Sequence, residues 1–456
     1  MTIARTLTPK LLCLLVGLVT IVVGLTVSSA QAGSTFTSDL SFGNQGSVTG
    51  RLGPADLVAT IPSRALLRDD RGRIVMGAAN GGEWQVRRFL PSGKLDPSFG
   101  DQGEVVVTDW GGIGDTGAGA NLSSAAIRPD GRILLVGYVG SRFVGSTRKG
   151  VAYMIMKQLM PDGSPDSSFG QENGGLVFGH HSGASSVALR ADGRFVVGGF
   201  RQLSSTGPAD DGILIGMTAD GRRDPTFAGG KTITIPSAGR KSSYLLDVDV
   251  LPNGRILAVG ATQNRVLVIK VRGNGTYDRS FGTGGRAIVD PGGKRCRCSI
   301  GRAMDQDKKG RVIVTGYVSS ADLDGAGYGI TMRFGKDGVL DRSFGSGGVA
   351  RLYATPRASR YATSLVDTAV DSKGGIWVTG NAGSLSGKNR KAVIVRYLPS
   401  SKRDRRFRRG RMTIGLGEVT TGWEVFRAGR KIYLSGRYSR GGSDSFYLKR
   451  FKLRFR

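Results

Sequence analysis

Histidine is nearly absent from this chain, with two residues in 456, and cysteine is scarce, with three. That scarcity excludes a histidine-rich metal centre and a scaffold held by a disulfide framework. Proline is low at 15 residues, which excludes a collagen-like rod and a proline-rich tail. Acidic residues are outnumbered 35 to 65 by Lys and Arg, giving a net charge of +30. What abounds is glycine, 73 residues, well above the roughly 7% of an average chain. Hydrophobic residues at 39% suffice for a packed core and exclude wholesale disorder.

Residues 1–32 read as a signal peptide. Arg5 and Lys10 precede an uncharged apolar run, Leu11 to Val27, and Ala30-Gln31-Ala32 offers small residues for cleavage after Ala32. The run of 17 residues also lies at the lower edge of what spans a bilayer, so retention as an anchor stays open. Cys13 lies at the start of the apolar run, where a lipoprotein cysteine would follow it. Cleavage leaves Cys296 and Cys298, which could form a small loop disulfide in an oxidising compartment.

A unit of about sixty residues recurs seven times. Its first marker is Asp followed three residues later by Phe: Asp39/Phe42, Asp96/Phe99, Asp166/Phe169, Asp224/Phe227, Asp278/Phe281, Asp341/Phe344 and Asp404/Phe407. Its second marker, in phase with the first, is a polar turn, a glycine and an apolar run. Examples are Asp130-Gly131 to Gly137, Asp192-Gly193 to Gly198 and Asn253-Gly254 to Gly260, with weaker copies at Gly72, Gly310, Gly374 and Gly429. Asp-Gly and Asn-Gly between apolar runs predict hairpins whose two central residues both have positive φ. The runs are short, rich in Val and Ile and bounded by Gly, as strands are, and several lack alternation, as strands buried on both faces do. The Asp is expected to accept backbone N–H groups in a turn, and the Phe to plug between neighbouring units.

One unit then holds four strands, exemplified by Ser123–Arg128, Arg132–Tyr138, Tyr153–Leu159 and Leu176–Gly179. Seven such units describe an all-β, seven-bladed propeller over residues 33–456. The first Phe marker is followed by Ser47 to Leu52 without the preceding strands of its unit, and the last unit stops after Phe446 to Phe451. The amino-terminal strand is therefore expected to close the last blade, removing an exposed ring seam.

Asp-Gly-Arg-Ile-Leu at 130–134 and Leu-Asp-Pro-Ser-Phe-Gly-Asp-Gln-Gly at 95–103 resemble the delta-60 repeat family of bacterial proteins. The resemblance covers residues 38–456 and implies tandem repeats, often in exported chains. It carries over no catalytic residue. The sequence departs from the pattern at Ala228, where Gly is expected, and at Arg405-Arg406-Phe407-Arg408-Arg409, which replaces Pro-Ser-Phe-Gly-Asp.

The chemistry search yields no catalytic, cofactor or metal residue. His180 and His181 are adjacent and expected on a solvated loop. Gly230-Lys231-Thr232 echoes a P-loop end, but Pro225 replaces its first Gly, so it reads as a turn into a strand. Asp210-Asp211 and Asp322-Leu323-Asp324-Gly325 are placed in insertions and lack the ligand count of a calcium site. Residues 401–456 hold 17 Lys or Arg and 4 Asp or Glu. The polyanion-binding candidates there are Arg405, Arg406, Arg408, Arg409, Arg411, Lys449, Arg450, Lys452 and Arg454. The leading expectation is a secreted or cell-surface, monomeric, non-enzymatic binding or scaffold propeller. Its partner would be an anionic surface polymer or a protein, with no specific nucleic acid and no membrane span after cleavage. Its contacts would come from the insertions Trp110 to Asn121, Gly140 to Val151 and Ser204 to Gly212. Two alternatives stand: a lyase or hydrolase at the channel mouth, and polyanion attachment through the basic carboxy-terminal region.

Overall fold

The computed structural model describes residues 36–54, 65–110, 119–140, 142–144, 147–149, 151–170, 175–203, 210–239, 241–293, 296–320, 327–354, 361–384 and 389–453. The expected signal segment, 1–32, and Asp322 to Gly325 lie outside the described residues.

Seven four-stranded antiparallel blades follow one another. Blades one to six span 66–107, 121–180, 182–235, 243–289, 296–352 and 361–414. Blade seven combines 419–453 with the amino-terminal strands. The unit expected around residue 130 appears as Asn121–Ile127, Ile133–Val139, Tyr153–Leu159 and Gly175–His180. Ile133–Val139 and Ile256–Thr262 are buried throughout, as runs without alternation require. First strands of neighbouring blades touch, so they surround the central channel and the fourth strands form the rim.

Seven apolar clusters fill the seven gaps between adjacent blades among the described residues. Each holds one Phe of the first marker, from Phe42 between blades seven and one to Phe407 between six and seven, and none of these is more than 1% exposed. The ring closes as expected: Ser47–Pro54 pairs with residues 443–449 of the last strand. A further strand, Phe36–Ser38, continues along the same edge against Phe451, Lys452 and Leu453. Three residues carry too little pattern to be read as a strand. Phe36 is fixed by packing, stacked on Phe451 at 4.4 Å and edge-on to Phe407 at 4.6 Å.

The Asp-Gly turns differ from the expected hairpin type. Only glycine takes positive φ, at 87° in Gly131 and 82° in Gly193. Gly131 N–H donates to the Arg128 carbonyl, and Arg128 N–H to the Arg132 carbonyl. That is a three-residue loop, a type I turn closed by a left-handed glycine. The glycine ending the second run has a separate cause. In blade two the first strand bulges between Leu122 and Ser124, opposite Gly137, and a Cβ on Gly137 would lie 1.9 Å from the Asn121 carbonyl oxygen.

Candidate functional site

Each marker Asp builds the same small device. In Asp96, Oδ1 accepts the N–H and O–H of Ser98 at 3.1 and 2.7 Å, while Oδ2 accepts Arg88 Nε at 2.7 Å. The Arg88 guanidinium lies 4.5 Å over the Phe99 ring and reaches the Pro161 carbonyl of the next blade. The cation comes from eight residues before the Asp in five blades: Arg88, Lys270, Arg333, Arg396 and, through ring closure, Arg450. Blade two has Gln158 and blade three Gly216 there, and Arg128 and Arg190 from the first strands supply the bonds to the next blade. All seven Asp carboxyls are held below their ordinary range: burial opposes the charge, and hydrogen bonds and cations outweigh it.

Strand direction places the first-to-second and third-to-fourth turns at one end of the ring. The second-to-third loops and blade-to-blade connections lie at the other. The described flanks of all three expected contact loops lie at that second end, and the loops themselves are largely outside the described residues. Their flanks include Trp110, packed edge-on to Trp84 at 5.1 Å. His181 is the single residue between the last strand of blade two and the first of blade three; it is half-buried with φ 63°, not on a solvated loop. Asp210 and Asp211 begin a strand and are buried, because Asp211 binds Arg201 at 2.7 Å and the Ser237 N–H at 2.8 Å. Gly230 to Thr232 leads from a 3-10 turn into Ile233–Ile235, the turn into a strand that was expected.

The channel holds carboxylates that the repeat pattern did not reveal. Asp247 of blade four accepts Met304 N–H of blade five at 2.8 Å, and Asp367 of blade six accepts Val425 N–H of blade seven at 2.8 Å. Asp305 takes Val370 N–H at 2.6 Å. Burial, with Asp249 and Asp367 nearby, pushes the Asp305 carboxyl up to about 7. These groups tether neighbouring first strands, and no group of three or more His, Cys, Asp or Glu among the described residues could hold a metal ion.

The basic candidates divide between two blades. Arg405, Arg406 and Arg408 are exposed on the turn after the third strand of blade six, beside exposed Lys402 and Arg403. Arg406 binds Asp404 at 3.0 Å. On blade seven, Lys449 is half-buried, and Lys452 lies 2.8 Å from Asp39. Arg450 departs from the expected surface cation: it is 2% exposed because Asp39, the Pro91 carbonyl and Ser41 hold it inside the ring. The Arg409 side chain and Arg454 lie outside the described residues, as does the Cys296 side chain, while Cys298 is half-buried in the first strand of blade five.

Arg411 lines a groove of about 540 Å³ between blades five and six, with Arg351, Tyr353, Tyr397, Ser401 and Arg403. Arg411 Nη1 donates to the carbonyls of Tyr353 and Ala354 at 3.2 and 3.4 Å, and Arg351 Nη2 to that of Pro291 at 3.0 Å. Among the described residues no carboxylate pairs with Arg351, Arg403 or Arg411. By contrast Arg88, Arg333, Arg396, Arg437 and Arg450 each have an Asp within 2.8 Å. Burial, then repulsion from Arg403, works against the charge of Arg411. Tyr397 is 3% exposed, and its hydroxyl has no hydrogen-bond partner. Burial pushes its phenol up to about 12, against the pull of Arg403 and Arg411, so it stays a protonated donor.

The same groove between blades one and two is lined by Asp101, Glu104 and Asp162. The groove is thus a by-product of blade packing, and its charge is set blade by blade. Sequence reasoning missed Arg351 and Tyr397. Tyr397 precedes its marker Asp by seven residues, where the other units read Phe89, Leu159, Met217, Val271 and Phe334. It alone brings a hydroxyl to that buried position, and Arg351 stands where blades one and four carry Val106 and Ile288.

Residues 128–169 match the family model described as "Domain of unknown function (DUF5122) beta-propeller". That stretch is the middle of blade two, running from the end of its first strand to its marker Phe. No curated protein sequence matches the chain. Among solved structures, Drosophila Plexin A in complex with Semaphorin 1b is similar at 10% identity and TM-score 0.43, over 88% of this chain and 87% of that one. A glucose dehydrogenase is similar at 12% identity and TM-score 0.40, over 88% and 99%. The phage phi92 endosialidase is similar at 10% and 0.45, over 90% and 70%. Likeness at this level carries no argument about function.

Proposed function

We propose that the chain is an exported, non-enzymatic binding propeller that attaches to anionic polymer along the outer edge of blade six. The observation that carries this reading is the row of exposed cations Lys402, Arg403, Arg405, Arg406 and Arg408, of which only Arg406 is paired with a carboxylate among the described residues. By contrast, the arginines at the marker Asp residues, such as Arg88, Arg333, Arg396 and Arg450, are each matched by a carboxylate. The signal pattern at 1–32 and the resemblance to delta-60 repeats support an extracytoplasmic setting, where a cell-wall or extracellular polymer is the partner.

A polymer held by several cations releases counterions, so affinity falls steeply with salt. The test measures binding of the purified chain to double-stranded DNA, as a model polyanion, across salt concentrations. Substituting Arg405, Arg406, Arg408 and Arg409 by Gln should flatten the log–log salt slope by up to about 3.6, near 0.9 for each lost contact. Binding that ignores salt, or a variant indistinguishable from the parent, removes the reading.

A further inference from the structure

The polymer-binding reading concerns a solvated row of charges, but the groove beside it has the features of a built site. We infer that the groove between blades five and six is a discrete pocket for one tetrahedral oxyanion, a phosphate or sulfate group, bound by Arg403, Arg411, Ser401 and the Tyr397 hydroxyl. This inference rests on the preceding reading for its setting, since such groups are carried by anionic polymers.

Two independent observations meet here. Two guanidinium groups, Arg403 and Arg411, line the groove without a carboxylate, although Arg88, Arg333, Arg396 and Arg450 are each paired with Asp. A half-buried cation without a counter-charge is destabilising unless an anion completes it. The second observation is the Tyr397 hydroxyl, buried on the groove wall with nothing to donate to. An unsatisfied buried hydroxyl costs free energy, and an incoming oxyanion would accept its proton.

The donor set also selects among anions. Arg411 is held in place by two carbonyls, with further N–H groups left to donate. Ser401 accepts the Gly345 N–H at 2.7 Å through its hydroxyl oxygen, which leaves its proton to give. Donors arriving from four side chains suit the three free oxygens of a tetrahedral phosphate or sulfate ester better than the two coplanar oxygens of a carboxylate. The acidic groove between blades one and two would repel the same ligand, so one site per chain is expected.

The test is equilibrium dialysis of labelled inorganic phosphate against the full chain, at an ionic strength fixed with sodium chloride. Saturable binding at one site is expected, displaced by sulfate and not by acetate; the stronger of phosphate and sulfate identifies the ester. Tyr397→Phe should weaken phosphate about tenfold, the size of one hydrogen bond to a charged group. It should fold normally, because it removes only an unpaired hydroxyl, and a urea midpoint checks this. Arg411→Gln gives a second variant with the same expected direction, its fold checked by the same urea midpoint. Absent saturation, equal affinity in Tyr397→Phe and Arg411→Gln, or acetate competing as well as phosphate overturns the inference. Neither variant touches Arg405, Arg406 or Arg408. Salt-dependent DNA binding that persists without a phosphate site therefore sinks the pocket and spares the polymer reading, and the reverse outcome does the opposite.

Discussion

Arg450 Nε lies 2.8 Å from Asp39 Oδ2, across 411 positions of sequence. The same guanidinium bonds Ser41 at 3.1 Å and stands 4.5 Å over the Phe42 ring, so one side chain fastens the beginning of the chain to its end. Both partners are buried. Removing Asp39 leaves the buried Arg450 charge alone, at a cost of about 3–5 kcal/mol, whereas removing Arg450 leaves Asp39 its 2.8 Å contact with Lys452. Asp39→Asn should therefore lower the unfolding free energy by about 3 kcal/mol and Arg450→Gln by less, and the double variant by clearly less than their sum. Urea unfolding of all four proteins measures this coupling, and strict additivity contradicts the clip.

Acid should loosen the ring at every blade together. The seven marker carboxyls lie below their ordinary range in the folded chain. A carboxyl depressed by folding contributes stability that is full above its unfolded pKa, about 3.9 for Asp. That contribution is lost as pH falls towards the folded value. Thermal midpoints followed downward from pH 6 should show no fall until about pH 4.5 and then drop steeply below pH 4. A midpoint unchanged down to pH 3 would contradict the shared Asp device.

Asp305 has the opposite sign. Its carboxyl is pushed up to about 7 by burial, with Asp249 and Asp367 adding. Between about pH 4 and 7 the folded state keeps a proton that the unfolded state loses, so this group costs stability as pH rises. Asp305→Asn should therefore melt higher than the parent at pH 8, with the gain shrinking towards pH 4.5. Asn retains an acceptor for the Val370 N–H, so loss of the tether does not mask the effect.

Two turns carry backbone strain that glycine would relieve. The residue after each marker Phe is left-handed, with φ of 54° at Gly43, Gly100 and Gly282. Ala228 at 50° and Arg408 at 42° hold the same conformation with a side chain. A left-handed residue with a Cβ costs about 1–2 kcal/mol, partly offset by the greater chain entropy of glycine. Ala228→Gly should raise the unfolding free energy by about 0.5–1 kcal/mol in urea. Gly100→Ala should lower it by more, because its Cβ would meet the Glu104 carbonyl oxygen at 2.2 Å. Equal stability of Ala228→Gly and parent would count against the strain.

The blades were legible because their markers answer local demands. Asp39 to Asp404 bind the N–H two residues on, Gly131 and its counterparts need positive φ, and the marker Phe is the one large apolar residue in a polar turn. Such features are written within ten residues of themselves. The turn type was misjudged because Asp-Gly suits both a two-residue hairpin and a three-residue loop, and only the strand register separates them. Arg450 looked like a surface cation because Lys449 to Arg454 alternate. Its burial depends on Asp39, which no local pattern links to it. The groove was hidden for a similar reason. Tyr353 belongs to blade five and Arg411 and Tyr397 to blade six, and they meet only when the blades pack. Once the units are aligned on their Asp, the lone hydroxyl at Tyr397 becomes visible.

The fold and both binding surfaces rest on a ring whose last blade is completed from the amino terminus. Hydrogen exchange of the amides of Ser47 to Leu52, compared with those of Phe446 to Lys449 opposite, tests that closure most directly. Equal protection, lost in one cooperative step on adding denaturant, is the expected result. Exchange of Ser47 to Leu52 at the rate of an unpaired chain, while Phe446 to Lys449 stays protected, would contradict it.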